Sequence, residues 1–147
     1  MIKELDAIAT VRIKAPIADV WDVLVSPEII KKYMYGAEVD SDWKVGSLIT
    51  WKGEWKGKTY EDLGVILKIE KEKTLQYSHY SPLSGLPDIP ENYHTVTYNL
   101  LEEGDQVLVA LTQDNNSSIK MMEESQKMWD QMLSDLKKTV ENKSQES

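Results

Sequence analysis

The sequence predicts an α+β fold in which an antiparallel sheet packs against a long C-terminal helix. Three observations predict it. Two short helical patterns of apolar residues follow one another near the N-terminus. The middle of the chain repeats short segments rich in Ile, Leu, Val, Thr, Trp and Tyr, separated by turn residues. One long amphipathic pattern then runs almost to the C-terminus.

The N-terminal elements are a strand and two short helices. Apolar residues alternate over residues 5–14, which predicts the strand. Pro16 suits the first turn of a helix. The apolar residues that follow at helical spacing are Val20, Trp21, Leu24 and Val25. Ser26 and Pro27 interrupt this pattern and supply a cap and a first helical position, so a second short helix is expected.

Five further strands are predicted in the middle of the chain, and tight turns join them. Turn residues occur at Gly36, at positions 40–42 and at Gly46. The predicted strands span residues 47–53, 58–70, 74–80, 93–101 and 106–114. The connection between the last two is short and contains Gly104, as in a hairpin, so the sheet is expected to be an antiparallel meander.

One long irregular segment, residues 81–92, separates two of the strands. Its prolines, Pro82, Pro87 and Pro90, exclude a regular helix or a central strand. The segment is either a surface excursion or a lid over a ligand cavity. The lid interpretation places Leu83, Leu86 and Ile89 facing inward.

A long amphipathic helix is predicted from Ser117 or Ser118, either of which suits a cap, to about Val140. Met122, Trp129 and Leu136 recur at seven-residue spacing and form an apolar stripe on one face of the helix. Met132, Leu133 and Val140 lie beside this stripe. The polar residues 141–147 are expected to fray.

Composition narrows the class of protein. The chain has 147 residues, which suits one domain over residues 1–147 with a polar tail from about residue 141. A net charge of -8 disfavours nucleic acid and anionic membranes as partners. There is no Cys, and the sequence shows neither a signal peptide nor an apolar run long enough to span a bilayer, so a cytoplasmic protein is expected. No metal or cofactor site is expected, because no metal-ligand or phosphate-loop spacing is present.

The order of elements and several segments resemble a known superfamily. The segments are APIADVWDVLVSPEIIKKYM, VGSLITWKG, DLGVILKIEKEKTLQYSHY, HTVTYNLLEEGDQVLVALTQDN and a Trp129-bearing helix that ends LKKTVEN. Together they resemble the START-like (SRPBCC) superfamily, and within it the proteins similar to the activator of heat-shock-protein-ninety ATPase. The resemblance covers residues 9 to about 142. It implies a helix-grip fold with a cavity between sheet and last helix, which in many relatives holds a sterol, lipid or polyketide.

The aromatic composition is consistent with such a cavity. The chain has five Trp, seven Tyr and no Phe, so every large aromatic ring carries a polar group. The residues expected to line a ligand site are Trp51, Tyr77, His79, Tyr98, Met122, Trp129 and Met132. The alternative is that the aromatic residues are ordinary core residues and that Met132 fills the core. Met121 and Met128 are expected to be partly exposed and available to a partner, and Trp55 to be half exposed at a hairpin end.

His79 and His94 lie in the two predicted strands that flank the Pro-rich segment, beside Tyr80 and Tyr93. The two histidines are therefore expected to lie close together across one hairpin. They form either a proton-transfer pair or structural side chains. No recognisable nucleophile spacing accompanies them, so no catalytic residue is assigned.

Three functions remain open from the sequence. The first is binding of a hydrophobic small molecule between sheet and last helix. The second is protein contact, with a chaperone or a second copy of the chain as partner. The third is an enzyme of the cyclase or hydrolase kind that uses the same cavity for acid–base chemistry.

Overall fold

A computed structural model describes residues 5–145 of the chain. Seven strands, three α-helices and two short 3-10 turns make up the described range. The elements in chain order are β1 (Ala7–Ile13), α1 (Ile17–Leu24), α2 (Pro27–Tyr33), β2 (Glu38–Ser41), β3 (Leu48–Trp55), β4 (Lys58–Glu70), β5 (Thr74–His79), the 3-10 turns Pro82–Ser84 and Pro90–Asn92, β6 (His94–Glu103), β7 (Gln106–Gln113) and α3 (Ile119–Gln145).

The strands form one curved antiparallel sheet in the order β1-β7-β6-β5-β4-β3-β2. Strands β2 to β7 follow one another as a meander, and β1 pairs with β7 at the far edge. Helix α3 packs against β1 and also contacts α1 and α2. This is the α+β, helix-grip arrangement expected from the sequence, so the predicted fold class is confirmed.

The apolar stripe of α3 lies in the core, as predicted. Trp129, Met132, Leu133, Leu136 and Val140 are all buried. Met122 is only partly buried and packs against the edge of the core. The hydroxyl of Ser118 accepts a hydrogen bond from the Met121 backbone N–H at 3.1 Å, so Ser118 is the residue that caps the helix.

Helix α3 is longer than the sequence predicted. The polar residues 141–145, expected to fray, continue the helix, and residues 146–147 lie outside the described range. Glu141 provides a physical reason: its carboxylate accepts hydrogen bonds from the Lys14 backbone N–H at 2.9 Å and from Lys137 Nζ at 2.8 Å. These contacts tie the last turns of α3 to the end of β1.

The sequence did not predict strand β2, because Asp40 and Ser41 are residue types that are common in turns. Asp40 and Ser41 belong to β2 and pair with Thr50 and Ile49 of β3. Buried Val39 anchors this four-residue edge strand to the core. Pairing with a longer neighbour therefore overrides the local turn preference.

The helices α1 and α2 begin where the sequence placed them. Ser26 occupies the cap position of α2, but its side chain makes no capping hydrogen bond. Its backbone carbonyl accepts hydrogen bonds from Ile29 and Ile30 instead. The hydroxyl of Tyr33, at the end of α2, donates to the Val23 carbonyl at 3.2 Å and joins the two helices.

The Pro-rich segment forms two 3-10 turns on the surface. Of the two interpretations of this segment, the surface excursion agrees with the structure. The side chains of Leu83, Leu86 and Ile89 are all exposed, so they do not face inward as the lid interpretation expected. The segment is fixed by polar contacts, among them hydrogen bonds from the Tyr80 hydroxyl to the Leu86 carbonyl and from the Tyr93 hydroxyl to Asp88. A backbone carbonyl and a carboxylate of the segment thus bind it to the tyrosines that flank it.

Candidate functional site

A small interior cavity lies between the sheet and the helices α1 and α2. Its volume is about 10 Å³, which is room for roughly one water molecule. Its walls are large apolar and aromatic side chains: Leu24, Ile30, Tyr33, Met34, Val39, Trp43, Ile49, Trp51, Leu75, Tyr77 and Tyr98. These side chains fill most of the space that the curved sheet encloses.

Tyrosine hydroxyls supply the polar atoms of this interior. The Tyr77 and Tyr98 hydroxyls lie 3.3 Å apart, and the Trp51 ring lies 5.0 Å from the Tyr77 ring, centroid to centroid. Burial raises the pKa of Tyr98 to about 12 and that of Tyr33 and Tyr77 well above its ordinary value. All three phenols therefore keep their protons at neutral pH. Tyr33 donates to the Val23 carbonyl, and either Tyr77 or Tyr98 donates in the bond between them.

A larger groove opens outside this interior. Its volume is about 270 Å³, and six of the described residues line it: Tyr35, Tyr60, Asp62, Ser81, Leu83 and Met128. They come from the turn that follows α2, from β4, from the Pro-rich segment and from α3. The groove thus lies where the sheet, the C-terminal helix and the Pro-rich segment meet, and its surface is mainly apolar.

Local backbone features place the two groove residues of β4. Gly53 of β3 pairs with Tyr60, and a Cβ at Gly53 would lie 2.6 Å from the Tyr60 hydroxyl oxygen. The Tyr60 side chain therefore depends on the missing side chain of Gly53 for its position. The pKa of Tyr60 is raised by burial and by the nearby Asp62 carboxylate.

Asp62 forms the polar part of the groove. Its Oδ2 atom lies 2.9 Å from His79 Nε2. Its Oδ1 atom is buried and has no hydrogen-bond partner among the described residues. The carboxylate thus orients the His79 imidazole, and the neutral His79 tautomer that donates to Asp62 leaves Nδ1 as an acceptor.

The family follows from a comparison with known proteins. The family model of the Activator of Hsp90 ATPase homolog 1-like proteins (AHSA1) matches residues 14–141. This chain belongs to the AHSA1 family. The structural neighbours share the same fold.

Solved structures resemble this AHSA1-family chain along most of its length. ChR145 from Cytophaga hutchinsonii is 57% identical, with a TM-score of 0.79, over 92% of this chain and 94% of that one. CalU16 from Micromonospora echinospora is 26% identical, with a TM-score of 0.67, over 89% of this chain and 71% of that one. The Aha1 dimer from Colwellia psychrerythraea shares the fold at 21% identity, with a TM-score of 0.72 over 92% and 96% of the two chains. No curated protein sequence matches the chain.

The structure separates the seven expected ligand residues of this AHSA1-family protein into three groups. Trp51, Tyr77 and Tyr98 line the interior cavity. His79 contacts the groove residue Asp62. Met122, Trp129 and Met132 belong to the packing of α3, where the Trp129 indole N–H donates to the Gln113 side-chain oxygen.

The two histidines lie together, as expected from the sequence. His79 pairs with His94 across β5 and β6, and their rings are 6.5 Å apart, centroid to centroid. His94 Nδ1 donates to the Asp114 carbonyl at 2.8 Å. The neighbouring rings of Tyr80 and Tyr93 stack at 5.3 Å.

Sequence reasoning missed the most informative partner, Asp62. Asp62 is 17 residues from His79 in the sequence, and only the pairing of β4 with β5 brings them together. No sequence motif with a fixed spacing predicts a contact between two residues this far apart. The sequence offers only a weak indication of this contact: an Asp in one predicted strand and a His in the next.

Two methionines and one tryptophan were expected from the sequence to be exposed or half exposed. Met121 and Met128 are exposed on α3, as predicted, and Met128 lines the groove. Trp55 ends the β3–β4 hairpin, but its side chain lies outside the described part of the chain. Across residues 5–145, no group of three or more His, Asp or Glu side chains is arranged to hold a metal ion, and no helix is long and apolar enough to cross a membrane.

Proposed function

We propose that this AHSA1-family protein binds a small, largely apolar molecule in the groove between α3, β4 and the Pro-rich segment. One observation carries the proposal: the groove offers about 270 Å³ of space against a mainly apolar surface. That volume is close to the lower end of ligand pockets, roughly 300 Å³. The proposal keeps the cytoplasmic location expected from the sequence.

The volumes favour the groove over the interior as the place of binding. An interior cavity of about 10 Å³ has no room for an organic molecule in this conformation. The groove is lined by Leu83, Met128 and two tyrosines, which together suit an apolar body. The flexible Met128 side chain also adapts to ligands of different shape.

The seven residues expected from the sequence take supporting roles in this proposal. Trp51, Tyr77 and Tyr98 line the interior cavity, and Trp51 contacts the His79 ring edge-on at 5.0 Å. His79 holds the Asp62 carboxylate in place. Met122, Trp129 and Met132 pack α3 against the core, and Met128 of the same helix lines the groove.

The test compares two methionines of the same helix. Met128 lines the groove, whereas Met121 is equally exposed outside it. Binding of the neutral fluorescent probe N-phenyl-1-naphthylamine is measured for the wild type, for Met128→Glu and for Met121→Glu. We expect Met128→Glu to weaken binding by about tenfold or more, because it places a charge against an apolar ligand, and Met121→Glu to change it less than about twofold. Equal effects of the two substitutions would contradict the proposal.

A second candidate function is contact with a protein partner. The family description names an activator of the Hsp90 ATPase, and α3 exposes Ile119, Met121 and Met128. A chaperone or a second copy of the chain is the partner that these observations favour. The test measures the ATPase rate of Hsp90 with and without this protein, alongside the sedimentation of the protein alone. An unchanged rate together with a monomer at all concentrations would exclude both partners.

A further inference from the structure

One carboxylate oxygen of the groove residue Asp62 lacks a hydrogen-bond partner among the described residues. Asp62 Oδ2 is hydrogen-bonded to His79, whereas Oδ1 is removed from solvent and bonds to no group of the described residues. A buried acceptor without a donor destabilises the folded state, and a charged acceptor does so more strongly than a neutral one. A group that donates a hydrogen bond to Asp62 would therefore be favoured at this position.

The geometry of Asp62 allows such a bond from the groove. The Asp62 side chain is 14% exposed and lines the groove. The terminal torsion of an aspartate side chain is broad, so we infer that a ligand donor turns the buried Oδ1 toward the groove. The His79 ring is held between Asp62 and Trp51 and limits how far that rotation goes.

The charge of the groove restricts the ligand further. Asp62 is the only charged side chain among the described residues that line it, and the remaining lining residues are Tyr, Ser, Leu and Met. The whole chain carries a net charge of -8. An anionic ligand, such as a fatty acid, would meet like charge without a basic partner in the lining.

We propose that Asp62 is the specificity determinant of the groove, and that it selects apolar molecules that carry a hydroxyl or amine donor over donor-free or anionic ones. This inference rests on the proposed function, because it names the ligand class of the same groove. His79 is a positioning residue in this arrangement. It holds Oδ2, so that Oδ1 is the oxygen that turns toward the ligand.

The experiment compares three naphthalene probes by isothermal titration calorimetry. The probes are 2-naphthol, which donates a hydrogen bond, 2-methoxynaphthalene, which cannot, and 2-naphthoate, which is anionic at neutral pH. We expect the wild-type protein to bind 2-naphthol at least fivefold more tightly than 2-methoxynaphthalene, and 2-naphthoate most weakly. This comparison uses the unaltered protein, so it does not depend on a variant that folds.

Two variants then assign the preference to Asp62. In Asp62→Asn the amide oxygen keeps the His79 bond and the amide NH₂ replaces the free acceptor, so the preference for 2-naphthol should vanish or reverse. Glu61→Gln is the matched control, because the neighbouring carboxylate is exposed and lies within 3.7 Å of Lys52 rather than in the groove. It should leave the preference unchanged.

The outcomes separate this inference from the proposed function. Equal binding of 2-naphthol and 2-methoxynaphthalene, or tightest binding of 2-naphthoate, would overturn the inference and leave groove binding intact. A preference that persists in Asp62→Asn would also overturn it. Failure of all three probes to bind would overturn both.

Discussion

Gly64 lies so close to Ser78 that no side chain fits between them: a Cβ at Gly64 would be 1.7 Å from the Ser78 carbonyl oxygen. This contact joins β4 to β5 beside the pairing of Leu63 with Tyr80. The same close approach brings Asp62 within reach of His79. The geometry of the groove therefore depends on a glycine two residues away from its polar side chain.

Replacing Gly64 by Ala is predicted to destabilise the protein by about 2 kcal/mol or more. The new Cβ would overlap the Ser78 backbone, which cannot move aside as a flexible side chain can, so β4 and β5 must separate. The free energy of unfolding is measured by urea denaturation. Gly46→Ala is the control: its position has a φ of +87° and open space around it, so only the conformational cost of about 1 kcal/mol applies. A smaller loss for Gly64→Ala than for Gly46→Ala would contradict the close contact.

The hydrogen bond from the Trp129 indole to Gln113 joins α3 to β7 in the core. Trp129→Phe removes the donor and leaves the buried Gln113 oxygen unpaired, so we expect a loss of stability of about 1–3 kcal/mol. Adding Gln113→Leu to that variant removes the unpaired group and should restore part of the loss. Thermal and urea unfolding of the four proteins of this cycle give the coupling, and strict additivity would show that the bond contributes nothing.

Glu141 is predicted to make part of the stability depend on pH. Burial alone would raise the pKa of its carboxyl, but hydrogen bonds from Lys137 and from the Lys14 backbone prevail and lower it below the ordinary 4.5. The folded state binds this proton less readily than the unfolded state does. The stabilisation is therefore present above about pH 4.5 and is lost as the pH falls through the lowered pKa.

Unfolding curves of the wild type and of Glu141→Gln between pH 7 and pH 3 test this prediction. The wild type should be the more stable protein at pH 7, and the two should converge at the acid end. A constant difference across the range would show that Glu141 acts through packing rather than through its charge.

The order of elements was predictable because each pattern is local. The proline and serine that open α2, the alternation of β1 and the apolar stripe of α3 are all features of consecutive residues. The end of α3 was not predictable from propensity, since contacts of Glu141 with a residue more than a hundred positions away hold it. The same holds for β2, which exists through its pairing with β3.

The candidate site was less predictable than the fold for the same reason. The pairing of His79 with His94 follows from a hairpin and was expected, whereas Asp62 enters from the next strand in the sheet. The groove itself combines residues of four separate segments, so no short stretch of sequence contains its signal. The volume of the interior cavity depends on how completely the interior side chains pack. The amino-acid composition does not predict how they pack.

The central claim is that the ligand lies in the groove, and nuclear magnetic resonance tests it most directly. The measurement is a titration of isotope-labelled protein with 2-methoxynaphthalene, followed through backbone amide and methyl chemical shifts. We predict that the largest changes occur at Leu83, Tyr60 and Met128, and that the Trp129 indole signal moves little. Changes confined to the interior around Tyr77 and Tyr98, or no changes at saturating probe, would contradict the account.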